Sequence, residues 1–256
     1  MEKLNLDKVV DLRGISVSYG NVKALREVSF SVYTGDFLGI IGPNGGGKTT
    51  LLKVILGLIK PDMGSVHYYR AGKEVSSLRM GYLPQRNEID VKFPISVRQV
   101  VASGLVEQKR LFRGYTNKQK DRVEEVLIDM ELEKLANRSI GTLSGGQLQR
   151  VLLGRSIVSK PEVLILDEPN SYVDKRFETR FYPFLEKINK ETVVIMVSHD
   201  VGTVLSIVRN IVCVSETAYY HAASDVSEEW IAKTYCCPIE LVGHGRIPHR
   251  ILRNHQ

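Results

Sequence analysis

The segment that most constrains the fold is residues 42–50, whose sequence is GPNGGGKTT. It follows the apolar run Phe37–Ile41, which is typical of a strand buried on both faces of a parallel sheet. It precedes residues 51–56, whose apolar pattern suits a helix. A strand, a glycine-rich loop and a helix in this order turn backbone N–H groups and the positive end of a helix dipole toward one point. The segment therefore predicts a site that holds phosphate.

Two side chains at the end of this loop extend the prediction to a nucleoside triphosphate. Lys48 can reach the β- and γ-phosphates, and the Thr49 hydroxyl can ligate a Mg²⁺ ion that bridges them. The alternative is a chance glycine-rich turn, which would not require Lys-Thr at this offset between a strand and a helix. The predicted nucleotide-binding loop consists of Gly42, Pro43, Asn44, Gly45, Gly46, Gly47, Lys48, Thr49 and Thr50.

Composition limits the class of protein. The chain has 256 residues, of which 43% are hydrophobic and 25% are charged, as expected of a globular protein with one large domain or two small lobes. It has no apolar run long enough to cross a bilayer, its N-terminus lacks a signal-peptide core, and two of its three cysteines, Cys236 and Cys237, are adjacent. We therefore expect a cytoplasmic location. The net charge of +6 permits contact with nucleic acid or with an anionic membrane surface. The basic residues are dispersed along the chain, which favours an ordinary solvated basic surface, and no nucleic-acid partner is expected.

The remaining pattern predicts strands with a helical insertion. Residues 12–17 alternate weakly and residues 28–32 alternate clearly, which predicts half-exposed strands of an antiparallel layer, and residues 65–70 predict another strand. From residue 96 to about residue 137 the apolar spacing is helical, except that the basic residues 108–120 are predicted to form a surface loop. The insertion therefore reads as a helical lobe between sheet strands.

Two further segments predict ligand-binding groups at the edge of a sheet. Residues 140–147 form a second glycine-containing turn before the helical pattern of residues 148–157, so another helix N-terminus can meet a phosphate. Residues 162–168 read as a buried strand that ends in Asp167 and Glu168. Carboxylates at the carboxyl ends of such strands lie where ligands bind in open α/β sheets.

Five motifs occur in one order along the chain: GPNGGGKTT, LPQ, LSGGQ, VLILDEP and VSHD. Together they resemble the ATP-binding cassette (ABC) ATPases over about residues 10–215. The resemblance implies an α/β fold with a P-loop NTPase core of the RecA-like type, a mostly parallel sheet, an antiparallel β layer and an inserted α-helical lobe. It implies an ABC ATPase domain over residues 1–225, with the lobe at about residues 86–142. Residues 226–256 would form a C-terminal tail that packs on the domain or extends it.

The resemblance also implies a role for each matching residue. Tyr19 would stack on adenine, although the residue alone could equally be a core residue at a strand end. Glu168 would polarise the attacking water, which argues against a cassette that binds ATP without hydrolysing it. The implied catalytic residues are Glu168, His199 and Gln85, and the implied Mg²⁺ ligands are Thr49, Gln85 and Asp167. The residues that would bind the ATP of a second copy of the chain are Ser144, Gly145, Gly146 and Gln147.

The loop after the Asp-Glu pair departs from the family pattern. Family members often have a small residue, Leu and Asp there, whereas this chain has NSYVD at residues 170–174. Asp174 keeps the acidic position, but Tyr172 and Val173 are bulky. The way in which this loop meets a second copy of the chain is therefore left open.

Among ABC ATPases, a single cassette without membrane spans is similar to the subunits that dock on a separate integral membrane permease. This implies a peripheral position on the cytoplasmic face of the inner membrane and, indirectly, an extracytoplasmic substrate-binding protein. Residues 81–105 are similar to ATPases of zinc and manganese uptake. The alternatives are an importer of the ferric-siderophore or cobalamin type and a soluble, non-transport cassette. An apolar groove for the permease would include Phe93, Pro94, Ile95 and Val97, although any one of them could instead pack inside the lobe.

The tail offers a second metal hypothesis. A sensor could be built from His221, Cys236, Cys237, His244, His249 and His255. Their spacing matches no recognised zinc module, however, and residues 230–232 and 239–242 are apolar. Packing of the tail on the domain is therefore the favoured interpretation.

Overall fold

The computed structural model describes residues 7–85, 90, 92–106, 114–169, 175–198, 201–222, 239–243 and 248–252. The chain divides into two compact units: the first consists of Met1–Leu78 and Leu185–Gln256, and the second consists of Arg79–Phe184. The strands are β1 (Lys8–Tyr19), β2 (Val22–Tyr33), β3 (Phe37–Ile41), β4 (Met63–Arg70), β5 (Lys73–Val75), β6 (Met80–Leu83), β7 (Val163–Asp167), β8 (Val193–Val197), β9 (Asn210–Ser215), β10 (Thr217–Ala222), β11 (Ile239–Gly243) and β12 (Pro248–Leu252). The helices are α1 (Lys48–Ile55), α2 (Val97–Ser103), α3 (Asn117–Asp129), α4 (Gly145–Ile157), α5 (Lys175–Asn189) and α6 (Val201–Ile207).

An antiparallel sheet in the first unit has the strand order β2-β1-β4-β5. Val10 and Leu12 on one face of β1 are buried, and Asp11 on the other face is also buried but bonds to polar side chains. Arg13 Nε donates to Asp11 Oδ2 at 2.8 Å, and Ser31 Oγ donates to Asp11 Oδ1 at 2.6 Å. Strand β1 therefore carries apolar residues on one face and a polar cluster on the other, within the antiparallel layer that the sequence predicts.

The parallel strands of the first unit lie around β3. This strand pairs in parallel with β8 and with β9, and β10 joins β9 in the antiparallel direction. All five residues of β3 are buried, as predicted. A Cβ added to Gly39 would lie 2.5 Å from Cγ1 of Val204, so α6 packs closely on β3. In the tail, β11 pairs with β12, and β12 contacts α6.

The second unit combines a parallel strand pair with helices. β6 pairs in parallel with β7. A Cβ added to Gly81 or to Gly104 would lie 2.1 Å from a carbonyl oxygen of α4, that of Ser156 or Arg155. Since only glycine permits these approaches, α4 packs against β6 and α2 with the backbones almost in contact.

Some predicted boundaries are wrong. Residues 117–120 were expected in a surface loop but form the first turn of α3, because Thr116 and Gln119 make a capping box. Thr116 Oγ1 accepts from the N–H of Gln119 at 3.3 Å, and Gln119 Oε1 accepts from the N–H of Thr116 at 2.9 Å. Helix α4 begins at Gly145, three residues earlier than expected, and α5 was not predicted. The α/β class, with parallel strands, an antiparallel sheet and packed helices, is as predicted, and the boundaries at residues 1–225, 86–142 and 226–256 stay predictions.

Candidate active site

The glycine-rich loop connects β3 to α1 in the first unit. Gly47 is the N-cap residue of α1 with φ 98°, and a Cβ there would lie 2.3 Å from the carbonyl oxygen of Ala24. Gly42 has φ 153°, and its Cβ would lie 2.0 Å from the carbonyl oxygen of Val214. Any other residue at these two positions would have a strained backbone and would collide with a neighbouring main chain.

Lys48 is the first residue of α1 and is only 7% exposed. Its Nζ donates to the carbonyl oxygens of Gly42, at 2.9 Å, and of Pro43, at 2.8 Å. The loop therefore holds the ammonium group against its own backbone, at the N-terminus of a helix. A positive charge, a helix dipole and main-chain amides at one place form an anion-binding site.

Backbone hydrogen bonds anchor this loop from outside. The carbonyl oxygen of Gly46 accepts from the N–H of Glu216 at 3.1 Å, and the carbonyl oxygen of Glu216 accepts from the N–H of Arg26 at 2.7 Å. Glu216, between β9 and β10, has φ 58°, a left-handed conformation that is uncommon outside glycine. The phosphate-binding loop is thus connected to β2 through the turn between β9 and β10.

Tyr19 lies at the end of β1, opposite Val22 of β2. Tyr19 is 52% exposed and Val22 is 68% exposed, so neither side chain belongs to the core. The interpretation of Tyr19 as a core residue at a strand end is therefore wrong. Its exposed ring is available to stack on a planar ligand.

In the second unit, Asp167 and Glu168 lie at the carboxyl end of β7. Asp167 is 2% exposed, and Glu168 has φ 50°, a strained conformation that costs a non-glycine residue about 1–3 kcal/mol. Gln85, two residues after the end of β6, donates from Nε2 to Glu168 Oε2 at 2.7 Å. Because β6 and β7 are parallel neighbours, their carboxyl ends bring together two of the three predicted catalytic residues.

The predicted Mg²⁺ ligands supply suitable atoms. Thr49, Gln85 and Asp167 carry hydroxyl, amide and carboxylate oxygens, which are the hard donors that Mg²⁺ prefers. The described part of the chain contains no group of three or more His, Cys, Asp or Glu side chains placed to hold a metal ion. Each of the three predicted ligands therefore offers an oxygen donor of the kind that Mg²⁺ prefers, and their joint role stays a prediction.

Residues 144–147 form the N-terminus of α4. Ser144 Oγ accepts from the N–H of Gln147 at 3.3 Å, and Gln147 Oε1 accepts from the N–H of Ser144 at 3.0 Å. Gly145 and Gly146 lie between them and leave the first two positions of the helix without side chains. The second helix N-terminus expected from the glycine-containing turn is therefore present.

Two residues just beyond this motif were not predicted to be functional. Gln149 is 6% exposed, and its Nε2 donates to the carbonyl oxygen of Pro169, directly after Glu168. Arg150 lies over the ring of Phe177 at 5.3 Å. The available signal was the placement of Gln149 on the buried, largely apolar face of α4, where a polar residue needs a partner.

The predicted site residues fall in both units. Tyr19 and residues 42–50 belong to the first unit, whereas Gln85, residues 144–147, Asp167 and Glu168 belong to the second. His199 and residues 170–174 lie outside the described residues, so their roles stay predictions. The same holds for most of the hypothetical metal sensor in the tail, namely Cys236, Cys237, His244 and His255.

Comparisons with known proteins identify the family. The family model described as ABC transporter matches residues 25–171. A zinc uptake system ATP-binding protein, ZurA, of Listeria monocytogenes is 35% identical over 234 residues, which cover 89% of this chain and 90% of that protein. A probable metal transport system ATP-binding protein of Chlamydia pneumoniae is 43% identical over 192 residues, which cover 73% of this chain and 78% of that protein.

A solved structure agrees with these matches. It is the dimeric structure of an ATP-binding cassette in a post-hydrolysis state, bound to ADP and inorganic phosphate. The TM-score is 0.70 at 25% identity, over 84% of this chain and 98% of that chain. Among the described residues, no helix is both long and apolar enough to cross a membrane. The predicted fold class and the predicted ATPase are confirmed, and the chain belongs to the ABC transporter family.

Proposed function

We propose that this chain is the ATP-hydrolysing subunit of a metal-ion uptake transporter, with zinc as the first candidate ion and manganese as the second. The enzymatic part rests on the 2.7 Å hydrogen bond from Gln85 to Glu168, beside the buried carboxylate of Asp167. The metal-ion part is supported by the relatives, which are named for zinc uptake and metal transport. A separate membrane permease carries the ion.

ATP binds through residues 42–50, with Lys48 and the loop amides on the phosphates and Tyr19 on the adenine. Glu168 polarises the attacking water, Gln85 orients it, and His199 contacts the γ-phosphate. A Mg²⁺ ion bound by Thr49, Gln85 and Asp167 supplies charge neutralisation at the phosphates. These roles follow the chemistry of in-line phosphoryl transfer, in which catalysis consists mainly of positioning and electrostatic stabilisation.

Dimerisation completes the site. ABC cassettes form dimers, as the solved cassette does. We assign Ser144, Gly145, Gly146 and Gln147 of one copy to the ATP of the second copy. In support, Ser144 and Gly145 are exposed at the start of α4, where the helix dipole favours an anion.

The permease docks on the helical lobe, at about residues 86–142, of an ABC ATPase domain that spans residues 1–225. Phe93 is 58% exposed and available for an apolar contact, whereas Val97 is fully buried and belongs inside the lobe. The chain is thereby held on the cytoplasmic face of the inner membrane, and an extracytoplasmic substrate-binding protein delivers the ion. Residues 226–256 form the tail.

ATP hydrolysis is tested with the Glu168→Gln variant, which keeps the shape of the side chain but removes its basicity. We expect hydrolysis to fall about 10²- to 10⁴-fold, the range for loss of a general base, while ATP binding persists. The ATP-bound dimer should then accumulate in size-exclusion chromatography. Glu133→Gln, the same change at an exposed residue of the second unit, serves as the control and should hydrolyse ATP like the unmodified protein.

Transport is tested by isolating the tagged chain from membranes in detergent and identifying its partners by mass spectrometry. The complex is then reconstituted in vesicles, and ATP-dependent uptake of radioactive zinc is measured against manganese. Recovery of an integral membrane permease and zinc uptake that Glu168→Gln abolishes would support the proposal. Recovery of ribosomes or nucleic acid without a permease would overturn it.

A further inference from the structure

Gln149 is a buried polar residue whose position on α4 is not explained by stability. Its side chain is 6% exposed, and its Nε2 donates to the carbonyl oxygen of Pro169. Among the described residues, its Oε1 has no hydrogen-bond partner. A buried polar atom without a partner costs about 1–3 kcal/mol, which an apolar side chain of the same size would avoid. The presence of an amide at this position is therefore explained by the hydrogen bond that its Nε2 donates to Pro169.

That donor holds the backbone directly after Glu168. Pro169 is buried and follows Glu168, whose φ is 50° and whose carboxylate accepts from Gln85 at 2.7 Å. The strained turn is thus fixed on one side by Gln85, through the side chain, and on the other by Gln149, through the next peptide. A residue in an unfavourable backbone conformation keeps it only when its surroundings fix it from several directions.

The next residue of α4 contacts the chain beyond the loop of residues 170–174. Arg150 lies over the ring of Phe177, in α5, at 5.3 Å, and its Nη1 is 3.6 Å from Glu131 Oε2. Arg180, also in α5, bonds to the same carboxylate of Glu131. Consecutive residues of α4 therefore contact the described residues on either side of segment 170–174: Gln149 contacts Pro169 before it, and Arg150 contacts Phe177 after it.

We propose that Gln149 is a positioning residue that couples α4 to the catalytic carboxylate of the same copy. This role rests on the proposed function, in which residues 144–147 at the start of α4 meet the ATP of the second copy. The position of α4 is then transmitted through Gln149 to Pro169 and Glu168. Occupation of one site then aligns the carboxylate of the other. Gln149 itself touches no reacting atom.

The test is Gln149→Met, an apolar side chain of similar length. The replacement has two opposite effects on the unfolding free energy. Removal of the unpartnered Oε1 stabilises the protein, whereas loss of the donor to the Pro169 carbonyl oxygen destabilises it. We expect the thermal midpoint to change little. The kcat for ATP should fall on the order of 10- to 100-fold, as a small misplacement of a catalytic group does. The KM for ATP and the affinity for a non-hydrolysable ATP analogue should stay within about twofold, since the phosphate-binding loop is unchanged.

The matched control is Ser156→Ala. Ser156 lies seven residues further along the same face of α4, is also 6% exposed, and donates from Oγ to the carbonyl oxygen of Leu153 at 2.7 Å. Its replacement removes a buried hydrogen bond without touching Pro169, so kcat should be unchanged. An equal loss of kcat in both variants would assign Gln149 a merely structural role and overturn the proposal. Unchanged kcat in Gln149→Met would do the same.

A second variant and hydrogen exchange test the role of Gln149 independently of Gln149→Met. If Gln149→Met does not fold, Gln149→Asn replaces it, because its amide is one methylene too short to reach Pro169, and the same loss of kcat is expected. Hydrogen exchange in the peptide of residues 168–176 should be faster in the variant, with or without ATP hydrolysis. Absence of hydrolysis in the unmodified protein would refute the proposed function alone, whereas unchanged exchange would refute the role of Gln149.

Discussion

Replacement of Gly47 by alanine tests the packing that shapes the phosphate-binding loop. Gly47 has φ 98°, and a Cβ there would lie 2.3 Å from the carbonyl oxygen of Ala24 and 2.9 Å from Cδ2 of Leu25. Gly45, in the same loop, has φ 78°, and Gly72, in the turn between β4 and β5, has φ 74°. At both of these positions an added Cβ would meet nothing within 4 Å. The three glycines therefore share a left-handed backbone but differ in steric surroundings.

The expected loss of unfolding free energy is the sum of two effects, the strain of a left-handed backbone and the collision of the Cβ with main chain. A left-handed backbone costs alanine about 1–2 kcal/mol, so Gly45→Ala and Gly72→Ala should each lose about that much unfolding free energy. A main-chain oxygen at 2.3 Å cannot move aside as a flexible side chain can. The resulting shift of backbone adds about 1–3 kcal/mol, which brings the expected loss for Gly47→Ala to about 2–5 kcal/mol.

The assay is urea unfolding of the three variants without nucleotide, followed by circular dichroism. Gly47→Ala should unfold at a clearly lower urea concentration than the other two variants. It should also lose ATP affinity, because displaced backbone moves the amides that face the phosphates. Equal unfolding midpoints for Gly47→Ala and Gly45→Ala would refute the close approach to Ala24.

The remaining predictions concern two buried carboxylates whose pKa values move in opposite directions. Burial raises the pKa of Asp36 above 3.8, so its contribution to stability is full below pH 3.8 and is lost as the pH rises through the raised value. The unfolding free energy of the unmodified protein minus that of Asp36→Asn should therefore fall as the pH rises above 3.8. Burial also opposes ionisation of Asp11, but hydrogen bonds led by that of Ser31 outweigh it and lower the pKa, so this contribution is lost as the pH falls below 3.8. The unfolding free energy of the unmodified protein minus that of Asp11→Asn should therefore decrease as the pH falls below 3.8. Urea unfolding at several pH values measures both differences, and the same pH dependence for Asp36→Asn and Asp11→Asn would contradict these assignments.

The parts of the fold that sequence predicts well are those whose local pattern and environment agree. Strands β3 and β7 are short apolar runs, and every one of their residues is buried. The phosphate-binding loop is predictable for a related reason, because the glycines that its backbone requires are themselves the motif. At position 47, glycine is required both by the positive φ of the turn and by the proximity of the Ala24 carbonyl oxygen.

Other elements were predicted only in part or were missed, because a local feature interrupts the pattern that predicts them. β1 has register shifts between Leu12 and Ile15 and between Ile15 and Val17, and such bulges move side chains out of the alternation that predicts a strand. The first turn of α3 is polar and exposed, so its apolar period starts later than the helix. α5 contains Pro183, which normally ends a helix, yet the helix runs from Lys175 to Asn189.

The motifs identify the residues of the candidate site but not the contacts that hold them. Lys48 donates to the carbonyl oxygens of Gly42 and Pro43, and Glu168 accepts from Gln85. A phosphate that reaches Lys48 therefore exchanges one hydrogen bond for another, and such an exchange contributes about 0.5–1.5 kcal/mol rather than the strength of an isolated bond. The larger effect of these contacts is to fix where the charges lie, since reaction rates depend steeply on the placement of catalytic groups. Contacts such as that of Gln149 with Pro169 belong to the same class, and because they join residues far apart in the chain, a motif of consecutive residues does not contain them.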